Sequence, residues 1–144
     1  REDMYKAIML PIDLAHESSW KKSIPVARKL AETFGAKLHA ITVVQDIRNA
    51  VVSQYFPKDY EEKLARTAAE GLSELIAREL PDVDVTEHVE VGQVYREIVR
   101  AANENGCDLI VMASHRPELS DLLIGPNADH VARHTTASVM IVRE

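Results

Sequence analysis

Apolar residues along this chain switch repeatedly between short unbroken runs and a spacing of three to four, the signature of strands alternating with helices. Lys6–Asp13 (KAIMLPID) is a short apolar run and predicts a buried strand with Pro11 near its end. In Glu17–Gly35, Trp20, Ile24, Ala27, Ala31 and Phe34 fall at intervals of 4, 3, 4 and 3, on one face of a helix. Ser18 or Ser19 is placed to cap its start and Gly35 to stop it. Pro25 lies about two turns in, so a later start or a kink is expected. Lys37–Val44 (KLHAITVV) predicts a second buried strand, and Gln45–Pro57 a loop without clean periodicity. Lys58–Leu80 predicts a long helix with Leu64, Ala68, Leu72, Leu75, Ile76 and Leu80 on its apolar stripe, ended by Pro81. Val83–Val91 alternates, apart from Glu87, and predicts a half-exposed strand. A helix over Gln93–Asn105 turns Val94, Ile98, Ala101 and Ala102 inward and stops at Gly106. Asp108–Ala113 is apolar on both faces. A short helix over Asn127–His134 and a last strand, Ser138–Val142, complete the pattern.

The resulting βαβαβαβαβ order implies a doubly wound, Rossmann-like α/β fold with a parallel sheet covered on both faces. The most apolar runs, before residue 45 and after residue 107, are expected at the centre, and Val83–Val91 at an edge. In such sheets ligands sit beyond the carboxyl ends of the strands, where strand order reverses. Three segments follow such ends: Asp13–His16, Val44–Asp46 and Ser114–Gly125. The last strand is apolar and free of proline, with no strand after it, so a symmetric partner pairing there is expected to cover it.

Composition narrows the function more than the fold. The chain has 144 residues and fits one domain, with Arg1–Asp3 read as a remnant ahead of a natural start at Met4. A net charge of −6 without a basic cluster argues against nucleic acid or an anionic membrane as partner. The lone Cys107 excludes a disulfide framework and points to a reducing cytoplasm. No Walker loop, early G-x-G-x-x-G or G-x-S-x-G elbow occurs. His130 and His134 have a metal-ligand spacing, but no third ligand accompanies them and no Glu follows His130, so no metal site is expected. His16, His39 and His88 are scattered and read as structural or surface residues.

Taken together, "YKAIMLPID", "KLHAITVV", "VEVGQVYREIVRAANENGCDLIVMASHRP" and "LLIGPNADHVARHTTASVMIVR" resemble the universal stress protein (UspA) superfamily over nearly the whole chain. The loop reading Ser-His-Arg-Pro is similar to one branch of it. The resemblance implies five parallel strands in the order 3-2-1-4-5 and a homodimer through the last strand, Ser138–Val142. It also implies a non-catalytic stress-response protein, in some members binding ATP or AMP with Mg²⁺. Binders carry Gly-x2-Gly-x9-Gly-Ser/Thr after the fourth strand. Here Ala113 and Arg116 stand at the first two positions, Gly125 keeps the third, and Pro126 replaces the hydroxyl residue.

By this resemblance the nucleotide would lie among Pro11, Asp13, Val43, Val44, Met112, Ala113, Ser114, His115, Arg116, Gly125, Pro126 and Asn127. Val43 or Val44 would offer backbone to adenine. Arg116 supplies a charged fork suited to phosphate, and Gly125 opens a backbone N–H at a helix start. Asp13 is either a ribose or metal contact or a turn residue. His115 is either a phosphate contact or polar loop. Ala113 adds one methyl, whereas Pro126 removes a donor and a hydroxyl. A degenerate site that binds no nucleotide is the alternative. An ATP-hydrolysing enzyme is disfavoured, because no general base beyond Asp13 is evident.

Overall fold

The computed structural model describes residues 4–45, 59–114 and 126–143. Its elements are β1 (Ala7–Pro11), α1 (Ser23–Phe34), β2 (Lys37–Gln45), α2 (Tyr60–Glu79), β3 (Val85–Gly92), α3 (Val94–Glu104), β4 (Leu109–Ala113), α4 (Pro126–His134) and β5 (Ser138–Val142). The five strands are all parallel, in the order β3-β2-β1-β4-β5. The loop expected over Gln45–Pro57 lies outside the described residues apart from Gln45, the last residue of β2.

Period-two alternation divides the two central strands between two cores. Ile8, Leu10 and Ile12 of the first strand segment, with Leu109 and Val111 of β4, pack under α1 and α2. Ala7, Met9, Ile110 and Met112 pack under α3 and α4. Both faces of β1 and β4 are thus covered, which is why their sequences read as unbroken apolar runs. β3 occupies one edge, as its alternation implies. β5 lies at the other edge, although it is nearly as apolar as the centre.

α1 takes the later start that Pro25 implies. Glu17–Ser19 form a 3-10 turn, and the helix begins only at Ser23. Pro25 thereby falls in the first helical turn, where its missing N–H has no intrahelical acceptor to lose. Trp20 precedes the helix instead of riding on it, and the Arg78 guanidinium lies 5.7 Å from its ring centroid. Ser18 and Ser19 are not its caps: the N-cap is Lys22, with no side-chain bond. The other end is as expected, with Gly35 at φ 66°, a left-handed conformation suited to glycine.

The edges of the central pair are tied by a carboxylate. Asp108 Oδ1 accepts the Lys6 and Ala7 N–H groups at 3.1 Å each, and Oδ2 accepts Lys6 N–H at 3.0 Å. This fixes the register between β1 and β4 at the end of the sheet opposite the site.

Candidate functional site

Chain connections leave β1 toward β2 and β4 toward β5, in opposite directions, so a crevice opens at the carboxyl ends of β1 and β4. A cavity of about 420 Å³ occupies it. Its floor is Pro11, Ile12, Met112, Ala113 and Ser114 from the two central strands. β2 adds Ile41, Val43 and Gln45, α3 adds Val94 and Ile98, and the start of α4 adds Pro126, Asn127 and Ala128. The turn after β1 closes the remaining side with Asp13, Ala15, His16, Ser18 and Ser19.

That turn is organised around Asp13. Its Oδ1 accepts the Ala15 N–H at 3.0 Å, and its Oδ2 lies 2.9 Å from His16 Nδ1. Ser19 Oγ accepts the Asp13 N–H at 2.9 Å and donates to the Asp13 carbonyl at 2.9 Å. The serine read as a helix cap thus braces the strand end. The Asp13 side chain is still 52% exposed, so lone pairs remain open to a ligand despite these bonds. Leu14, between Asp13 and Ala15, packs toward α2. A Cβ added at Gly71 would meet Leu14 Cδ1 at 3.3 Å, so a glycine lets the turn approach the helix closely.

On the opposite wall Ser114 is buried, and its N–H donates to Val142 O at 3.0 Å, tying the end of β4 to β5. Pro126 is the first residue of α4, a helix of 9 residues. Proline suits that position but brings no N–H.

Of the residues expected at a site, Pro11, Asp13, Val43, Met112, Ala113, Ser114, Pro126 and Asn127 surround this one cavity. Val44 does not line it; strand alternation sends its side chain to the face opposite Val43. His115, Arg116 and Gly125 lie outside the described residues. His16, read as a scattered histidine, belongs to the cleft, and so do Ser18 and Ser19. The signal was the spacing of three from a strand-end Asp, which one tight turn converts into a side-chain pair.

The chain matches the sequence profile of the universal stress protein family over residues 4–143. It belongs to the universal stress protein family. Universal stress protein G of Shigella flexneri is 31% identical over 143 residues, covering 97% of this chain and 100% of the relative. Universal stress protein MJ0577 of Methanocaldococcus jannaschii is 26% identical over 156 residues, covering 97% and 96%. The solved structure of MJ0577 superimposes with a TM-score of 0.73 over 98% of this chain and 97% of that one. A universal stress protein crystallised in complex with cAMP shares the fold, with a TM-score of 0.62 at 24% identity over 96% and 97% of the two chains. The five-stranded 3-2-1-4-5 sheet is therefore this family's Rossmann-like fold.

Other candidate chemistry in this universal stress protein is accounted for by packing. Burial, with Asp108 adding to it, pushes the Cys107 thiol up to about 11, so it carries little thiolate at neutral pH. His130 stacks on Tyr95 with centroids 4.7 Å apart, and His134 lies tilted against the same ring at 5.1 Å. Among the described residues no three metal-ligating side chains converge, and no helix is long and apolar enough to cross a membrane.

Proposed function

We propose that this protein is a non-catalytic stress-response module whose cleft binds an adenine nucleotide, ATP or AMP, and which acts as a homodimer. The observation that carries the reading is the cavity at the β1/β4 switch point, which gathers eight of the residues expected there from four separate elements. Its floor is apolar enough to take a base. Asp13 and the start of α4 supply the polar ends, Asp13 standing toward the ribose or its metal. A nucleotide complex of one protein of this fold, the cAMP complex, supports the scaffold's suitability. One carboxylate, Asp13, lines the cleft among the described residues. That fits Mg²⁺ arriving with phosphates and keeping its waters, and does not build a resident metal site.

The test is direct. Protein purified without added ligand is denatured, and the supernatant is chromatographed for nucleotide. ATP with Mg²⁺ is then titrated calorimetrically up to millimolar concentration. A released nucleotide or a binding isotherm is expected; neither, together with no thermal shift, would sink the reading.

A second reading is favoured by Ala113 and Pro126: the same dimer with a degenerate cleft that binds no nucleotide. Each lost hydrogen bond to a charged group costs about 1.5–3 kcal/mol, so a weakened binder is the expected consequence. Pro126→Ser restores a donor and a hydroxyl at the start of α4. It should tighten ATP binding about tenfold if the cleft is a weakened site. No gain on that substitution supports the degenerate reading.

Dimerisation through Ser138–Val142 rests on β5 being an uncharged edge strand with Met140 38% exposed. A cytoplasmic location rests on the single, buried cysteine.

A further inference from the structure

The first strand leaves the sheet at Asp13, and the way it leaves decides where the Asp13 side chain points. Ile12 still donates its N–H to Ile41 O on β2 at 2.8 Å. Alternation turns the next N–H, that of Asp13, away from β2. Its partner is the hydroxyl of Ser19, six residues on, and the same hydroxyl donates to the Asp13 carbonyl, each bond at 2.9 Å. The N–H lies in the peptide plane before the Asp13 Cα, and the carbonyl in the plane after it. One oxygen bonded to both therefore restrains φ and ψ of Asp13 together, and with them the direction of its Cα–Cβ bond.

Ser19 is itself fixed. Its N–H donates to His16 O at 3.0 Å, and its carbonyl accepts the hydroxyl of the buried Ser23, the first residue of α1, at 3.0 Å. A hydroxyl has one proton to give, and that of Ser19 goes to the Asp13 carbonyl. What Ser19 offers the cleft is thus the placement of its neighbour. On the carboxylate, Oδ1 accepts the Ala15 N–H and Oδ2 faces His16 Nδ1. A carboxylate has lone pairs for further donors, and Asp13 lines the cavity.

We propose that Ser19 is a positioning residue for ligand binding: its hydroxyl aims the Asp13 carboxylate at the ribose hydroxyls of a bound nucleotide. The proposal rests on the nucleotide reading above. A serine that only completed backbone hydrogen bonds would affect stability alone. A serine that aims Asp13 also sets how well the cleft tells ribose from a sugar without hydroxyls.

The experiment is calorimetric titration of the full chain with AMP and with dideoxy-AMP, whose sugar lacks both hydroxyls. Wild type is expected to prefer AMP about tenfold, the worth of one hydrogen bond to a charged group. Asp13→Ala should abolish that preference. Ser19→Ala should weaken AMP nearly to the level of the dideoxy analogue and leave the analogue's own affinity unchanged. Ser19→Thr keeps the hydroxyl and should restore the preference. Should Ser19→Ala fail to fold by circular dichroism, Ser19→Cys, a weaker hydrogen-bonding group, is expected to show the same selective loss. If the substitution weakens both ligands equally, or neither, Ser19 does not act through Asp13 and the inference is wrong. If wild type binds the two ligands equally, Asp13 meets no ribose hydroxyl, and the inference falls while nucleotide binding stands. If wild type binds neither, the nucleotide reading falls and this inference with it.

Discussion

The two edges of the sheet are finished differently. β3 has eight residues, and its side chains are committed to neighbours. His88 Nε2 lies 2.9 Å from Nδ1 of the buried His39 on β2, with the rings stacked at 5.2 Å. Glu87 accepts from Ser73 Oγ on α2 at 2.5 Å. Glu90 shares the Arg100 guanidinium of α3 with Glu97 and Glu104. β5 has five residues, SVMIV, none of them charged. Val139 and Ile141 pack toward α3 and α4, while Met140 is left 38% exposed. Ser138 N–H donates inward to Asp108 O, so a period of two turns the Val139 and Ile141 N–H groups toward the open edge. Charge and long polar side chains are how edges are guarded against pairing. The β3 edge carries such guards, and β5 carries none on its own residues.

Substitutions that exchange these finishes test the contrast. The largest effect is expected from Met140→Lys, which gives β5 the guard it lacks. In the proposed dimer it should raise the dissociation constant about a hundredfold, with the protein monomeric by light scattering and its circular dichroism unchanged. An unchanged mass would show that pairing does not use this strand.

Acidification should act selectively on the guarded edge. Burial first, then the neighbouring His88 and Lys37, hold the His39 imidazole below its ordinary value of 6.5. The unfolded chain therefore binds the extra proton at a higher pH than the folded one. The stability linked to neutral His39 is full above about pH 6.5 and is lost as pH falls below it. Amide exchange in β3 should rise in that window before that in β4, and His39→Leu should flatten the response. Equal exchange in the two strands at every pH would count against it.

Arg100→Ala leaves three carboxylates facing one another on the same edge. It should cost about 1 kcal/mol, or a fall of about 2–4 °C in Tm, less in 1 M salt. The smallest effect belongs to Ser73→Ala, about 0.5 kcal/mol in denaturant melts, since Glu87 is exposed and water replaces the hydroxyl.

What the sequence made legible follows from periodicity. Which strands lie at the centre and which at one edge was readable because Ile8 to Leu10 and Leu109 to Met112 are apolar on both faces, while Val83 to Val91 alternates apart from Glu87; the full order 3-2-1-4-5 was implied by the family resemblance. The apolar composition of β5 gave the wrong impression of centrality, because Val139 and Ile141 are needed on the face packed by α3 and α4 even at an edge. The cleft was legible where a strand end fixes the position, as at Asp13 and Ser114, while Pro11, Met112 and Ala113 were implied by the family resemblance. It was not legible where a turn folds back. The 3-10 winding at Glu17–Ser19 returns His16, Ser18 and Ser19 to the strand end, and no periodicity announces that. Ser19 was read as a cap because capping is a local rule, whereas bracing Asp13 needs the turn already formed.

The Asp108 grip on the Lys6 and Ala7 amides has a kinetic consequence. It joins positions 102 and 101 residues apart, and the β1–β4 pair beside it is equally distant in sequence. Closing so long a loop is entropically unfavourable until intervening elements have shortened it, and contacts of this separation slow folding. On a ribosome, β1 and β2 emerge before β4 and can pair, but β1 waits for its other neighbour until about 100 further residues have been made. The crevice between β1 and β4 thus takes shape only after β4 is made, long after β1 and β2 can pair, and the nascent chain holds nothing there until then.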